Sequence, residues 1–354
     1  METSCQEALT AFTSTPGDFT VEPVSGGLIN HTCKITNHRT GLTFLLQRFN
    51  HQVFREPAKI QENYQLIAAH IAKENPDFFI PVAHYFDGMQ SLFCDSEKQY
   101  WRLFSFVENS KTLSNTADPV QAATVAETFA RLTAVCSGLD IRHLQIILPD
   151  FHNVTVRLQQ FSNALESAIP ERLEKSAYMV DWLNSRSRYA GLYTHFTESA
   201  EYKLRVTHHD AKISNVLFDT ATGHVICPVD FDTIMPGYFF SDPGDMIRSM
   251  AGTTDETSTD FANIRIRPGI YKAIINGYLR GMGAELSAAE IKNIHASGLL
   301  LLYMQSLRFL SDYLTGDTYY RISYPEQNYD RALNQLTLLQ RLEEFLEETY
   351  KFTC

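Results

Sequence analysis

The chain has no uninterrupted apolar run approaching the roughly 18 residues that a membrane-spanning helix needs. Its opening, METSCQEALTAF, carries neither the basic n-region nor the apolar h-region of a secretion signal. These two absences predict no membrane partner and a cytoplasmic location. The six cysteines, Cys5, Cys33, Cys94, Cys136, Cys227 and Cys354, include no CxxC pair. They therefore give no sign of a zinc site or a disulfide framework, and read as reduced, mostly buried thiols. Basic residues are in the minority, 30 Lys and Arg against 41 Asp and Glu for a net charge of −11. Nucleic acid, whose backbone asks for a basic surface, is not the expected partner; a small phosphate ligand, met by local charges, stays open. There is no internal repeat and no low-complexity tract. What the chain has is apolar material, 44% of 354 residues, enough for a sizeable core and, by length, for two or three domains.

The segment from Thr207 to Thr233, THHDAKISNVLFDTATGHVICPVDFDT, spaces four polar residues as phosphoryl transfer requires. That chemistry asks for a carboxylate to receive the proton of an acceptor hydroxyl, and for oxygen ligands that hold magnesium on nucleotide phosphates. Asp210 fits the first role; Asn215 and Asp230 fit the second. Lys212, two residues past Asp210, is placed to neutralise charge developing on the transferring phosphoryl group. His208 is expected to brace the backbone, and Asp232 either touches the substrate or stabilises the loop. Between Asn215 and Asp230, NVLFD reads as a strand, ATG as a hairpin turn and HVICPVDF as a second strand. An HxD triplet alone is a common turn feature. Five positional demands met in one window favour a phosphotransferase-type site that uses ATP and magnesium.

Upstream, residues 19–49 alternate as three strands, with turn signals at Ser25-Gly26-Gly27 and from Asn37 to Gly41. A helix is expected over Pro57 to Lys73, then strands near 80–86 and 99–107. Gly26 and Gly27 stand where backbone amides would cover nucleotide phosphates, without a full GxGxxG. The third strand, FLLQRF, lacks the lysine that many kinases place there and offers Gln47 and Arg48 on opposite faces. Arg48 is favoured, with Glu62 on the following helix as its possible partner. Val107 and Glu108 open the hinge and are further candidate cofactor-binding positions. From Pro119 onward the pattern is mainly helical, with helices near 153–185, 243–252, 267–282, 287–314 and 329–349. Asp242 reads as a helix N-cap followed by Pro243, with Asp245 and Arg248 bracing the loop. Arg308 and Asp312 are either an intrahelical ion pair, or Arg308 donates to a substrate while Tyr319 packs on a sugar face. The fold class is α+β: a protein-kinase-like bilobal fold with a small antiparallel-sheet lobe, 1–107, that binds nucleotide and a mainly helical lobe, 108–354, that carries catalysis and the acceptor.

These segments resemble the aminoglycoside and choline phosphotransferases over the full length, most closely the N-acetylhexosamine 1-kinase branch. HHDAKISN is similar to that branch's HNDxKxNN loop, VDFDTIMPG to DLDTxMPG, LLQRFN to LQRxN, and RFLSDYLTGDTYY to RFLxDYLxGDxY. The resemblance implies ATP with magnesium and phosphorylation of the anomeric hydroxyl of a hexosamine. It implies Asp210 as base, Asn215 and Asp230 as magnesium ligands, and Arg308 and Tyr319 as sugar contacts. The chain departs from the branch at Leu28, where the branch commonly has His, and at Tyr324 to Asn328. Both lie on the acceptor side, so the sugar is open. Two other readings stand beside this one. A kinase for amino alcohols or aminoglycosides would want a carboxylate cluster in the helical lobe, with the negative charge steering its cationic acceptor. A non-catalytic nucleotide-binding module would explain the absent strand lysine, but would be expected to lose Asp210, Asn215 or Asp230.

Overall fold

The computed structural model describes residues 3–12, 18–24, 30–86, 88 and 90–354. In chain order the first elements are α1 (Thr3–Phe12), β1 (Phe19–Pro23), β2 (His31–Asn37), β3 (Thr43–Arg48) and α2 (Pro57–Glu74). There follow β4 (Ala83–His84), β5 (Phe93–Cys94), β6 (Tyr100–Ser105), β7 (Ser110–Lys111) and α3 (Pro119–Val135). Next come α4 (Val154–Glu166), α5 (Pro170–Lys175), α6 (Ala177–Asn184), α7 (Arg188–Glu198), β8 (Arg205–Thr207), β9 (Val216–Asp219), β10 (Val225–Pro228) and β11 (Met235–Gly237). The last are α8 (Ser241–Met250), α9 (Pro268–Met282), α10 (Ala288–Lys292), α11 (Ala296–Leu314) and α12 (Gln327–Tyr350). The mixed α+β class expected from the sequence is the class observed.

Two compact units emerge. One holds residues 1–111, 142–147 and 217–235; the other holds 112–141, 148–216 and 236–354. The β9–β10 hairpin thus packs with the sheet-bearing unit, whereas the Asp210 loop belongs to the helical one.

In the sheet unit, antiparallel strands run in the order β1-β2-β3-β6-β4, with β5 on β6. Alternation divides the two faces. Ile35, Phe44, Leu46, Trp101 and Leu103 point to one side and are covered by Cys5, Ala8 and Leu9 of α1, a helix with no counterpart among the elements expected from the sequence. Thr32, Gln47 and Arg102 stand side by side on the other face. On α2, Pro57 fits the first turn, where a missing N–H removes no bond, and Ile60, Tyr64, Ile67 and Ile71 recur at helical spacing and are buried. Tyr64 meets Phe104 of β6 at 5.0 Å and Phe231 at 5.3 Å. The buried Asn63 side chain donates to the Gln145 and Ile234 carbonyls and accepts from the Gln145 N–H, tying α2 to the segment beyond the hairpin. β9 pairs with both β10 and β7. Its turn closes through Asp219, which accepts from the Ala221 and Thr222 N–H groups.

In the helical unit the helix expected over 153–185 is three helices; Pro170, at the first position of α5, cannot continue a helix from before it, and a second break falls at Ser176. The one expected over 287–314 is two, α10 and α11. α9 packs against α3 so closely that a Cβ at Gly277 would lie 2.2 Å from the Ala123 carbonyl oxygen. α11 is buried on nearly every side. Among the described residues no helix is long and apolar enough to cross a membrane.

Candidate active site

In the helical unit β8 delivers the chain into the loop His208–Asn215. His208 is fully buried against Phe129, with ring centroids 4.9 Å apart, and its Nδ1 accepts the Asp210 N–H at 3.3 Å. It therefore braces the loop as expected. His209 takes the left-handed conformation, φ 68°, with its ring buried beside Ser241 Oγ at 2.8 Å from Nδ1. A Cβ at Gly237 would meet that ring at 2.4 Å, so glycine is what admits it. The Asp242 carboxylate accepts the His208 N–H at 3.1 Å and the His209 N–H at 2.8 Å. Asp242 is thus no N-cap, as its sequence context had suggested. It sits inside α8, whose cap residue is Phe240, and its carboxylate holds the catalytic loop. Arg248 pairs with Asp245 at 2.7 Å and with Glu256.

Asp210 emerges from this anchored turn. Its Oδ2 receives Lys212 Nζ and Asn215 Nδ2, each at 2.8 Å, and Asn215 Nδ2 also reaches the Asp210 carbonyl at 2.9 Å. Oδ1 takes no side-chain donor among the described residues. Burial works against ionisation of Asp210, but the Lys212 ammonium outweighs it, helped by His208 and Asn215, and holds the carboxyl below its ordinary range. A carboxylate kept ionised in this way is chemically suited to orienting a hydroxyl and receiving its proton late, and not to acting as a strong base. The Asn215 amide nitrogen is committed to Asp210, and its carbonyl oxygen is an atom of the hard-cation-ligand type.

In the sheet unit Asp230 follows β10 in the left-handed conformation, φ 63°, and is exposed. Residues two apart on a regular strand face the same side; the turn at Asp230 breaks this, and Asp232 is buried. Its Oδ1 lies 2.5 Å from Arg102 Nη2, and its Oδ2 accepts Asn30 Nδ2 at 2.6 Å. Asp232 is therefore committed to a structural pair and does not stand out as a substrate contact. Gln47 bridges Thr32 and Arg102, at 3.1 and 3.0 Å, while Arg48, on the opposite face, stacks over Trp101 at 5.6 Å. The cation on the Asp232 side is thus Arg102, which sequence reasoning missed; the signal was a lone charge inside the apolar strand WRLFSF. Glu62 is exposed, and the carboxylate that pairs with Arg102 is Asp232. Gly26, Gly27 and Leu28 lie outside the described residues. After β6, Val107 offers its carbonyl to Ser110 Oγ at 2.6 Å. The Glu108 carboxylate accepts Thr43 Oγ1 and pairs with Lys34 at 3.2 Å; the Thr43 hydroxyl and Lys34 overcome the small effect of burial and hold it below the ordinary carboxylate range.

Among the described residues no three His, Cys, Asp or Glu side chains cluster to hold a metal by themselves. Asn215 offers an amide oxygen and Asp230 an exposed carboxylate, each the kind of oxygen that magnesium takes beside phosphates and water.

Arg308 of α11 bonds Gln305 at 3.2 Å and lies over the rings of Phe151, Tyr319 and Tyr320 at 5.7, 5.8 and 5.5 Å. The intrahelical pair with Asp312 does not form. Asp312 instead accepts the N–H groups of Tyr319 and Tyr320 at 2.8 and 2.9 Å and Asn328 Nδ2 at 3.0 Å. This shapes the loop after Gly316, whose φ of 98° ends the helix, and leaves Tyr319 72% exposed. Burial and the nearby Arg308 charge hold the Arg157 guanidinium below its ordinary range, so two cations stand near one another here.

The anchored Asp-Lys-Asn loop, the antiparallel sheet and the helical unit define a kinase-like phosphotransferase. The chain belongs to the phosphotransferase enzyme family, APH, whose pattern it matches over residues 20–285. Its fold is similar to that of a microcompartment-associated aminopropanol kinase, 15% identical, covering 97% of each chain with a TM-score of 0.60. A spectinomycin phosphotransferase solved with ADP and spectinomycin is 10% identical, covering 96% of this chain and 98% of that one, TM-score 0.60. A Plasmodium vivax ethanolamine kinase is 13% identical, covering 94% and 88%, TM-score 0.54.

Proposed function

We propose that this phosphotransferase is a sugar 1-kinase, moving the γ-phosphoryl group of ATP to the anomeric hydroxyl of an N-acetylhexosamine or related sugar. Asp210 Oδ1 receives the hydroxyl proton as the new O–P bond forms and the bond to the ADP oxygen breaks. Lys212 offsets charge on the transferring group. Asn215 and Asp230 would hold magnesium, which would supply charge neutralisation on the phosphates. The lobe 1–107 binds nucleotide, with Gln47, Val107 and Glu108 as its candidate contacts; 108–354 carries catalysis and the acceptor; and the setting is cytoplasmic.

The observation that carries the acceptor class is Arg308, set among three rings with no carboxylate partner among the described residues. A cationic acceptor needs carboxylates, and both acidic residues of this segment are committed, Asp312 to backbone N–H groups and Asp317 to Arg172 and Asn328. A sugar suits the segment, with hydroxyl or acyl oxygens accepting from Arg308 and one ring face on Tyr319.

The test is incubation with ATP, magnesium and a panel of free sugars and amino alcohols, followed by phosphorus NMR. An acid-labile anomeric phosphate is expected. Turnover of amino alcohols alone would overturn the sugar reading, and ATP binding without turnover of any acceptor would point to a non-catalytic module. Asp210→Asn should abolish turnover with ATP affinity nearly intact; preserved turnover would remove Asp210 from its role.

A further inference from the structure

We infer that Arg102 is the positioning cation of the nucleotide-binding sheet, holding the bend that presents Asp230 through a buried pair with Asp232. In protein kinases a third-strand lysine and a helix glutamate do comparable work. Here β3 has no lysine and Glu62 is exposed, and the task falls to β6 and the hairpin end. The inference rests on the proposed role of Asp230 as a metal ligand.

Arg102 is the cross-strand partner of Gln47, so the charge stands one strand over from where a third-strand lysine would project on the same face. Gln47, itself held by Thr32, accepts Arg102 Nε. Phe49 and Phe104 lie on the guanidinium plane at 4.5 and 5.1 Å. The side chains of Arg102 and Asp232 are 3% and 2% exposed. Asn30, which holds the other Asp232 oxygen, accepts the Asn50 N–H at 3.1 Å. A buried ion pair is a poor source of stability, but each Asp232 oxygen has one fixed neighbour here, Oδ1 the Arg102 charge and Oδ2 the Asn30 amide. On the other side of the bend Phe231 is fixed against Tyr64. Asp230 is thus the exposed member of a turn whose next two side chains are both clamped. Outer residues that orient a ligand commonly change metal affinity when removed, even though they never touch the metal.

The experiment is calorimetric titration of the full chain with ATP, once with magnesium and once with EDTA. The ratio of the two dissociation constants is the metal increment, and melting temperature is measured in parallel. Arg102→Gln and Asp232→Asn should each shrink the increment by about tenfold or more, with metal-free ATP affinity little changed. The double variant should be no worse than either single, since both break one unit. Arg102→Lys, which keeps the charge and disturbs packing least, should retain most of the increment. Variants that melt earlier but keep the wild-type increment would overturn the assignment and leave the pair a mere brace. A wild-type protein that binds ATP no better with magnesium would overturn the functional reading beneath it.

Discussion

Replacing Asp242 by alanine should weaken the fold more at about pH 5 than at about pH 8, because its carboxyl titrates between those values. Burial pushes Asp242 up to about 7 from an ordinary 3.8, against the N–H bonds of His209 and His208 and with a push from the charges of Asp245 and Asp210. A group whose folded pKa is raised adds stability that is full below its unfolded value and is lost as pH rises through its folded value. From about pH 5 to the folded value lie roughly two pH units, worth about 1.4 kcal/mol each, so this contribution falls by about 3 kcal/mol. Removing the carboxyl also strands two buried N–H groups, at about 1–3 kcal/mol apiece, a loss that does not depend on pH. Urea unfolding of wild type and Asp242→Ala at both pH values reads the two components separately. The variant should be less stable at each, with the gap wider by about 3 kcal/mol at the lower pH. An equal gap would refute the reasoning, since it would mean that the two N–H bonds keep Asp242 ionised despite its burial. Asp242→Asn, similar in size and unable to titrate, should show the same difference between the two pH values.

The remaining expectations concern the loop and the acceptor segment. Lys212→Met leaves Asp210 with burial as the main influence on its carboxyl, so the acid limb of the kcat/KM profile should move to higher pH; an unmoved limb would show that Lys212 does not hold Asp210 ionised. Gly237→Ala places a methyl 2.4 Å from the His209 ring, and should lower stability by about 1–3 kcal/mol together with kcat; calorimetry and steady-state rates matching wild type would contradict the close packing. Arg308→Met should raise the acceptor KM by about 10- to 100-fold, the loss of a charged hydrogen bond, with the ATP KM unchanged, and a shift in the ATP constant instead would move Arg308 off the acceptor side.

What could be read from the sequence was what neighbouring residues decide. Asp210, Lys212 and Asn215 fall within one short loop, so their spacing marked them as one cluster, though it did not show the bonds that Lys212 and Asn215 give to Asp210. The hairpin was legible because Asp219, Thr222 and Gly223 are turn residues by their own chemistry, and α2 because an amphipathic repeat follows a proline. Contacts between distant segments were not legible. Asp242 looked like a cap because an acid before Pro-Gly usually is one, yet the loop it serves lies on another element. Arg102 looked like one charge in a strand until the register put Gln47 beside it and the hairpin end brought Asp232 to it. The pair Arg308 and Asp312 shows the same limit from the opposite direction. Four residues apart on a helix, they have the spacing of an ion pair, which at an exposed site is worth only a few tenths of a kcal/mol. Asp312 is instead buried at the helix end, where the turning chain presents the Tyr319 and Tyr320 N–H groups and Asn328 adds a third donor. Three hydrogen bonds to a charged acceptor, at about 1.5–3 kcal/mol each, exceed what one ion pair offers. Local spacing predicted the weaker arrangement, and the stronger one leaves Arg308 without a carboxylate among its three rings.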